Sequence, residues 1–395
     1  MDNQRNVLVL AAVRTAIGKY GGGLAAMPPC DLAATVVREA VSRAGVASAD
    51  VGHVVFGNVI HTEVRDMYLS RVAAVNGGLP VETPAFTVNR LCGSGLQAIV
   101  SAAQAIQLGD CDVAVAGGAE SMSRGQYWLP SLRWGQRMQE TVAVDAMVGA
   151  LTDPFDACHM GVTAENVAAD YGVSRADQDA LAAESHRRAA AAAEAGYFAD
   201  QITPVEVPAK KGTVIIDTDE HIRPGVTTDD LARLRPAFAR EGTVTAGNAS
   251  GVNDAAAAVI LADEDFAERH AGDPLGRLVA YGHAGVEPRV MGMGPVPAVR
   301  TVLDRAGLKL DDIDVFEVNE AFAAQALAVV RELGLSPEQT NPNGSGISLG
   351  HPIGATGAIL TVKALHELRR TGGRYALVTM CIGGGQGIAA ILERM

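Results

Sequence analysis

The segment RAGVASADVGHVVFGN at residues 43–58 recurs as RAGLKLDDIDVFEVNE at 305–320, an ungapped offset of 262 residues in which Arg, Ala, Gly and Asp coincide and the apolar positions keep step. Each copy follows an amphipathic stretch closed by glycine, Asp31 to Gly45 in the first case and Pro297 to Gly307 in the second, and that pattern predicts a helix. Farther along, the first copy gives a glycine turn, a helical stretch at 96–108 and an apolar strand at 112–118. The second gives the turn GHPIGATG, a helical stretch at 358–370 and a strand at 374–380. Self-similarity that runs through helix, turn and strand predicts two related α/β halves. Equivalent turns of such halves meet at a seam, the place where ligands of open α/β sheets bind.

Between the halves the texture changes. Residues 122–250 hold the stretch RGQYWLPSLRWGQRMQ, an Ala-rich helix with Glu184 four residues before Arg188, and the polar segment KKGTVIIDTDEHIRPG. Long loops of this kind predict a cap over a two-part core, serving as a binding lid or an oligomer contact. The expected division is residues 1–121 as a first half completed by 252–274, residues 122–251 as a loop domain, and residues 275–395 as a second half. Aromatics make up 4% of the chain while glycine is used 44 times, a mixture suited to closely packed βα units. The run VLVLAAV at 7–13 is too short for a secretory core and leads into Arg14, so it predicts a first buried strand. No window reaches the roughly 18 apolar residues of a membrane span, so no membrane partner is expected.

The formal net charge of -13, with 32 scattered Lys and Arg, leaves no basic face for nucleic acid or anionic lipid. The five cysteines, at 30, 92, 111, 158 and 381, are an odd number in a long chain. Reduced thiols in the cytoplasm fit that count better than a disulfide framework.

Three reactive side chains sit in glycine-cushioned turns at the ends of apolar runs: Cys92 in NRLCGSG, His351 in SLGHPIGATG and Cys381 in MCIGGGQG. Glycine lets backbone amides approach a ligand, so these turns suit thiol-based acyl transfer. Cys92 precedes a helix start rich in Gly and Ser, whose free amides and partial positive charge would favour a thiolate. The alternative for it is a buried structural thiol, the role expected of Cys30 and Cys111. His351 is a candidate base for a thiol proton, against the alternative of a turn residue bonding its own backbone. Cys381, a second thiol, suggests a second proton-handling step, with a disulfide to Cys92 as the competing reading.

Other matches fail on context. GISLG at 346–350 lacks the later acid and histidine of a hydrolase triad. The glycine run at 385–390 leaves too few residues for a dinucleotide-binding unit, and the nine histidines show no metal-binding spacing. No metal is expected.

The blocks NRLCGSGLQA, NEAFAAQ from Asn319, NPNGSGISLGHPIGATG and CIGGGQG resemble the signature blocks of thiolases, and the likeness extends to HMGVTAENVA from His159 and TVTAGNASG within the insertion. The resemblance is greatest to the biosynthetic, acetoacetyl-CoA type and to bacterial broad-range β-ketothiolases that supply polyhydroxyalkanoate monomers. It implies an α/β thiolase fold with a duplicated, five-layered αβαβα core, an inserted loop domain and a homotetramer. It implies acyl transfer from acetyl-CoA or a short-chain acyl-CoA to Cys92 with His351 as base, release of CoA, and Claisen condensation with acetyl-CoA after Cys381 takes its α-proton. Asn319 would hold a water at the enolate oxygen, and the amides of Cys92 and Gly383 would receive the tetrahedral oxyanion. CoA would be bound by Leu151, His159, Met160, Arg223, Ala246, Ser250, Met291, Ala321 and Phe322. No cofactor is implied, because CoA thioesters are the substrates.

Two departures stand out. Met293 occupies a position where many acetoacetyl-specific relatives carry Thr, and is expected to reshape the acyl pocket. Asp230 replaces a small hydroxyl residue expected at the adenine end. A degradative 3-ketoacyl-CoA thiolase is the nearest alternative. A decarboxylating condensing enzyme would pair its cysteine with two histidines, and a non-catalytic CoA-binding protein would be expected to lose one of the three reactive residues.

Overall fold

The computed structural model describes residues 5–270 and 272–395. In the first half, β1 (Val7–Thr15), α1 (Pro29–Ala44), β2 (His53–Gly57), α2 (Leu69–Asn76), β3 (Ala85–Val88), α3 (Ser94–Leu108) and β4 (Val113–Ser121) follow in order, and β5 (Asn253–Asp263) joins after the insertion. The insertion carries α4 (Met160–Asp170) and α5 (Arg175–Glu194) among short hairpins. The second half runs β6 (Gly276–Gly285), α6 (Pro295–Ala306), β7 (Val315–Val318), α7 (Ala323–Leu333), α8 (Thr356–Thr371), β8 (Tyr375–Ile382) and β9 (Gln386–Glu393).

The repeat survives in space. The first half's strands are ordered β3-β2-β4-β5-β1 and the second half's β7-β8-β9-β6. The place equivalent to β3 is taken by a single parallel bridge from Phe316 to Thr340. The helices that precede the repeated segments end on Gly45 (φ 66) and Gly307 (φ 64), left-handed caps 262 residues apart. Ser94 and Thr356, which open α3 and α8, keep that same offset. The two sheets touch edge to edge where Leu8 and Val9 of β1 pair with Arg277 and Gly276 of β6.

Strand alternation builds the layers. Val7, Val9, Val55, Ala114 and Ala116 of the first half and Ala376, Val378 and Met380 of the second point inward, onto α3 and α8 between the sheets. Their neighbours Leu8, Leu10, Val54 and Phe56 face outward onto α1 and α2, while Leu377 and Ile391 face α6 and α7. Successive side chains of a strand point to opposite faces, so strands apolar at every position are buried on both. The result is the five-layered α/β arrangement, helix-sheet-helix-sheet-helix, that the thiolase resemblance implies, built from the two halves that the repeat predicts.

The middle layer depends on two equivalent glycines. A Cβ at Gly95 of α3 would lie 2.8 Å from the Ala358 amide nitrogen, and one at Gly357 of α8 would overlap the amide nitrogen of Leu96. Backbone meets backbone at this crossing, so no side chain can rotate away. Gly357→Ala gains about 1 kcal/mol of helix propensity but incurs overpacking of roughly 1–3 kcal/mol at a rigid contact. A net fall in the urea midpoint is the expected result, and an unchanged or raised midpoint would show that the crossing can relax.

The insertion is fastened at both sides. On α5, Glu184 accepts from Arg188 at 2.6 Å as its spacing predicted, and Arg188 also donates to the carbonyl of Thr340 at 2.7 Å in the second half. On the first-half side, Arg14 of β1 is fully buried and binds Asp219 through both guanidinium nitrogens, at 2.7 and 2.9 Å. Among the described residues, no helix is long and apolar enough to cross a membrane.

Candidate functional site

Cys92 lies in the turn between β3 and α3. The residue before it, Leu91, has φ 44, a left-handed conformation that costs a β-carbon-bearing residue about 1–2 kcal/mol. Hydrogen bonds hold that geometry: Asn89 Oδ1 accepts from the Leu91 amide at 2.9 Å, and Ser94 Oγ donates to the Leu91 carbonyl at 2.7 Å. The backbone amides of Cys92 and Gly383 act on the Cys92 sulfur in favour of its thiolate. The thiol packs against Ile60, Met122, Ala146 and Ile353. Burial pushes it up to about 11 in spite of the two amides. The expected thiolate-favouring helix end is therefore overridden at rest, because Gly93 rather than Cys92 caps the helix and the sulfur is enclosed by apolar groups.

His351 is buried just beyond the one-turn helix Gly346–Leu349. Its amide donates to Asn253 Oδ1 at 3.0 Å. Thr356 Oγ1 lies 2.6 Å from Nδ1 and itself donates to the Pro352 carbonyl at 2.9 Å. Because that hydroxyl proton is committed, Nδ1 carries the hydrogen and Nε2 keeps its lone pair. Burial lowers the ring to about 4, so the histidine is neutral and its exposed lone pair is basic in sense.

Nε2 faces Asn319 Nδ2 at 3.4 Å, while Asn319 Oδ1 is buried without a partner in the protein. Asn319 sits at the end of β7, where its amide donates to the Thr379 carbonyl at 3.0 Å. A buried unpartnered carbonyl oxygen is a natural seat for a water or a substrate group. Cys381, in β8, has no solvent exposure, and burial pushes its thiol above the ordinary range, with the nearby Cys92 as the next cause. All five cysteines are free thiols. Past Cys381 the chain turns through Gly383, where a Cβ would lie 2.8 Å from Met160 Cε and 3.1 Å from Leu91 Cδ1. Glycine there lets an amide reach the sulfur.

A cavity of about 700 Å³ opens onto His351, with Leu151, His159, Arg223, Ala246, Ser250 and Phe322 in its wall. Met160, Met291 and Ala321 lie one layer deeper, in an apolar cluster with Phe322 and Cys381. The sequence elements that supply these residues are cross-linked. The Ser250 amide donates to the Ala321 carbonyl at 2.9 Å, and the Met160 amide to the Leu151 carbonyl at 2.8 Å. His159 caps α4 through Nδ1 and stacks on Phe238 with centroids 4.7 Å apart. His351 and six of the residues expected at CoA thus line the cavity, Met160, Met291, Ala321 and Cys381 lie in the cluster behind it, and Cys92, Asn319 and Gly383 adjoin these without lining it.

Two expectations need correction. Met293 does not belong to that lining: it packs with Val167, Val296, Val299 and Phe316 in the outer core of the second half, whereas Met291 reaches the cavity side. The two residues sit in a tight turn, Pro288–Met293, whose twist sends neighbouring side chains to different cores. Met293→Thr is therefore expected to leave the acyl chain-length profile unchanged, and a shift in relative kcat/KM between four- and six-carbon ketoacyl-CoAs would restore it to the pocket. Asp230 is engaged in a capping box, accepting from Thr227 Oγ1 at 2.6 Å, and does not line the cavity.

Sequence reasoning missed several supporting groups. Asn253 and Thr356 orient His351, Phe238 supports His159, and Glu120 lies buried beneath the site. Glu120 had a visible signal, a carboxylate inside the otherwise uncharged strand VAVAGGAES. The partnerships of Asn253 and Phe238 span too much sequence to be read from spacing, whereas Thr356 lies only five residues from His351 and was passed over.

Comparison with known proteins places this geometry in a family. The descriptions "Thiolase, N-terminal domain" and "Thiolase, C-terminal domain" match residues 7–265 and 272–394. The chain belongs to the thiolase family. It is 67% identical over 392 residues to "Beta-ketothiolase BktB" of Cupriavidus necator, covering 99% of this chain and 100% of that one. It is 50% identical to an acetyl-CoA acetyltransferase of Chromobacterium violaceum, covering 98% and 99% of the two chains. Among solved structures, human mitochondrial 3-ketoacyl-CoA thiolase in complex with CoA superposes with a TM-score of 0.96 at 46% identity, over 99% of this chain and 98% of that one.

Proposed function

We propose that this protein is a β-ketothiolase that condenses acetyl-CoA with acetyl-CoA or another short acyl-CoA, reversibly, through an acyl group carried on Cys92. The observation that carries this reading is the neutral imidazole of His351 in the cavity wall, with the buried Cys381 in the apolar cluster behind that wall and the half-buried Cys92 packed against Ile353 of the same wall. It rests also on the full-length similarity to a β-ketothiolase and to acetyl-CoA acetyltransferases.

The proton bookkeeping follows from the resting states. Both thiols are protonated and His351 is not, so His351 Nε2 takes the Cys92 proton as the sulfur attacks the thioester carbonyl. The amides of Cys92 and Gly383 receive the developing oxyanion. When the carbon–sulfur bond to CoA breaks, the departing sulfur takes the Cys381 proton, which leaves acyl-Cys92, a Cys381 thiolate and an imidazolium. The second substrate, acetyl-CoA, then loses its α-proton to Cys381, and His351 and a water on Asn319 donate to the enolate oxygen. The carbanion attacks acyl-Cys92, and the expelled Cys92 sulfur recovers the proton held on His351. Removing one oxyanion donor typically raises such a barrier by about 2.7 to 4 kcal/mol.

CoA enters along the 700 Å³ cavity, with Arg223 at its phosphate end and Leu151, Ala246, Ser250, Met291 and Phe322 along pantetheine. The chain assembles as a homotetramer held partly through residues 123–142, where Trp134 is 92% and Met138 93% exposed in the single chain. A stable monomer by light scattering would contradict that assembly. The reading as a whole is tested by CoA-dependent thiolysis of 3-ketoacyl-CoAs with four, five, six and ten carbons, with Cys92→Ala as control. Comparable efficiency at four to six carbons and a fall at ten is the expected outcome. Preference for ten would favour the degradative type, and absence of Cys92-dependent turnover would overturn the assignment.

A further inference from the structure

Glu120, at the end of β4, has no solvent exposure and, among the described residues, forms no salt bridge. Its two oxygens accept from four donors: Asn58 Nδ2 at 3.1 Å, the Ile60 amide at 3.0 Å, the Val59 amide at 3.1 Å and the Gly354 amide at 2.9 Å. These come from both halves of the fold. Asn58 to Ile60 follow β2, and Ile60 and Val59 pack against Cys92. Gly354 closes the turn that carries His351 and leads into Thr356, the partner of its Nδ1. The Gly354 carbonyl is held as firmly as its amide, since a Cβ at Gly57 would lie 2.7 Å from it and one at Gly118 would overlap it.

We infer that Glu120 is a positioning residue of the acyl-transfer reaction, which fixes the His351 turn against the loop behind Cys92. The inference rests on the proposed thiolase chemistry. Four donors and, among the described residues, no acceptor meet the carboxyl oxygens, an arrangement a carboxylate satisfies and a glutamine amide cannot.

The test compares Glu120→Gln and Glu120→Asp with the parent protein in kcat and in KM for CoA. Glu120→Gln is expected to lower kcat about tenfold or more through misorientation and to leave KM for CoA within about twofold because Glu120 does not line the cavity. Glu120→Asp keeps two acceptor oxygens but cannot span the four donors, so kcat falls there too while KM for CoA holds. If Glu120→Gln does not fold, the Asp variant with retained KM and lowered kcat still supports the positioning role. Unchanged kcat in either folded variant, or a KM for CoA that rises as far as kcat falls, would overturn the inference. A parent protein without thiolase turnover would instead overturn the reading beneath it.

Discussion

Cys381→Ala is expected to yield a protein that still loads an acyl group onto Cys92 but scarcely makes or breaks the carbon–carbon bond. Transfer to Cys92 requires the His351 lone pair and the amides of Cys92 and Gly383, all of which survive the change. Without the Cys381 proton the CoA sulfur leaves as thiolate, a tolerable step for a group whose ordinary pKa is near 8.5. Removal of an α-proton has no such substitute, because the buried cluster around Cys381 otherwise consists of Met160, Ala164, Val244, Met291, Ala321 and Phe322. Loss of a positioned base lowers a rate by about 10²–10⁴. Condensation and thiolysis should therefore fall within that range while exchange of labelled CoA into acetyl-CoA falls much less, and acetyl-Cys92 should be detectable by peptide mass. Cys92→Ala should lose both reactions. Equal losses of exchange and thiolysis in Cys381→Ala would remove the division of labour between the two thiols.

How far the sequence revealed this arrangement depends on the range of each interaction. The duplicated architecture was legible because period and spacing are local: the caps at Gly45 and Gly307 and the helix starts at Ser94 and Thr356 keep one offset. Cys92, His351 and Cys381 were legible because glycines flank a reactive group. The state of those groups was not, since the helix start next to Cys92 suggested a thiolate and only packed structure reveals the burial that reverses it. Met293 was misread for a related reason. A tight turn has no fixed alternation, so one sulfur faces the cavity cluster and the other an outer core. Glu120 was passed over because its meaning lies in Gly354, 234 residues away.

Asp219→Ala should produce the largest single loss of stability outside the site, and should carry a binding defect with it. Arg14 is buried in β1, donates to Asp219 through both terminal nitrogens and to Gln201 Oε1 at 3.1 Å, and stacks 5.2 Å from the Phe198 ring centroid. Asp219 also accepts from the Ile17 amide at 2.8 Å. Removing the carboxylate strands a buried guanidinium, which costs about 3–5 kcal/mol. The next residues extend the consequence to function, since Glu220 accepts from the Gly23 amide at 3.0 Å and His221 and Arg223 line the cavity. Chemical denaturation should show a lowered midpoint, and KM for CoA should rise more than kcat falls. The double variant Arg14→Met/Asp219→Leu separates the two effects. Replacing a buried pair with apolar groups of similar volume is often neutral, so the double variant should recover much of the stability lost in Asp219→Ala. The Ile17 amide would still lack its acceptor and the segment at 219–223 its polar anchor, so the raised KM should persist. Recovery of both stability and KM would mean that the ion pair fills space rather than places the cavity wall.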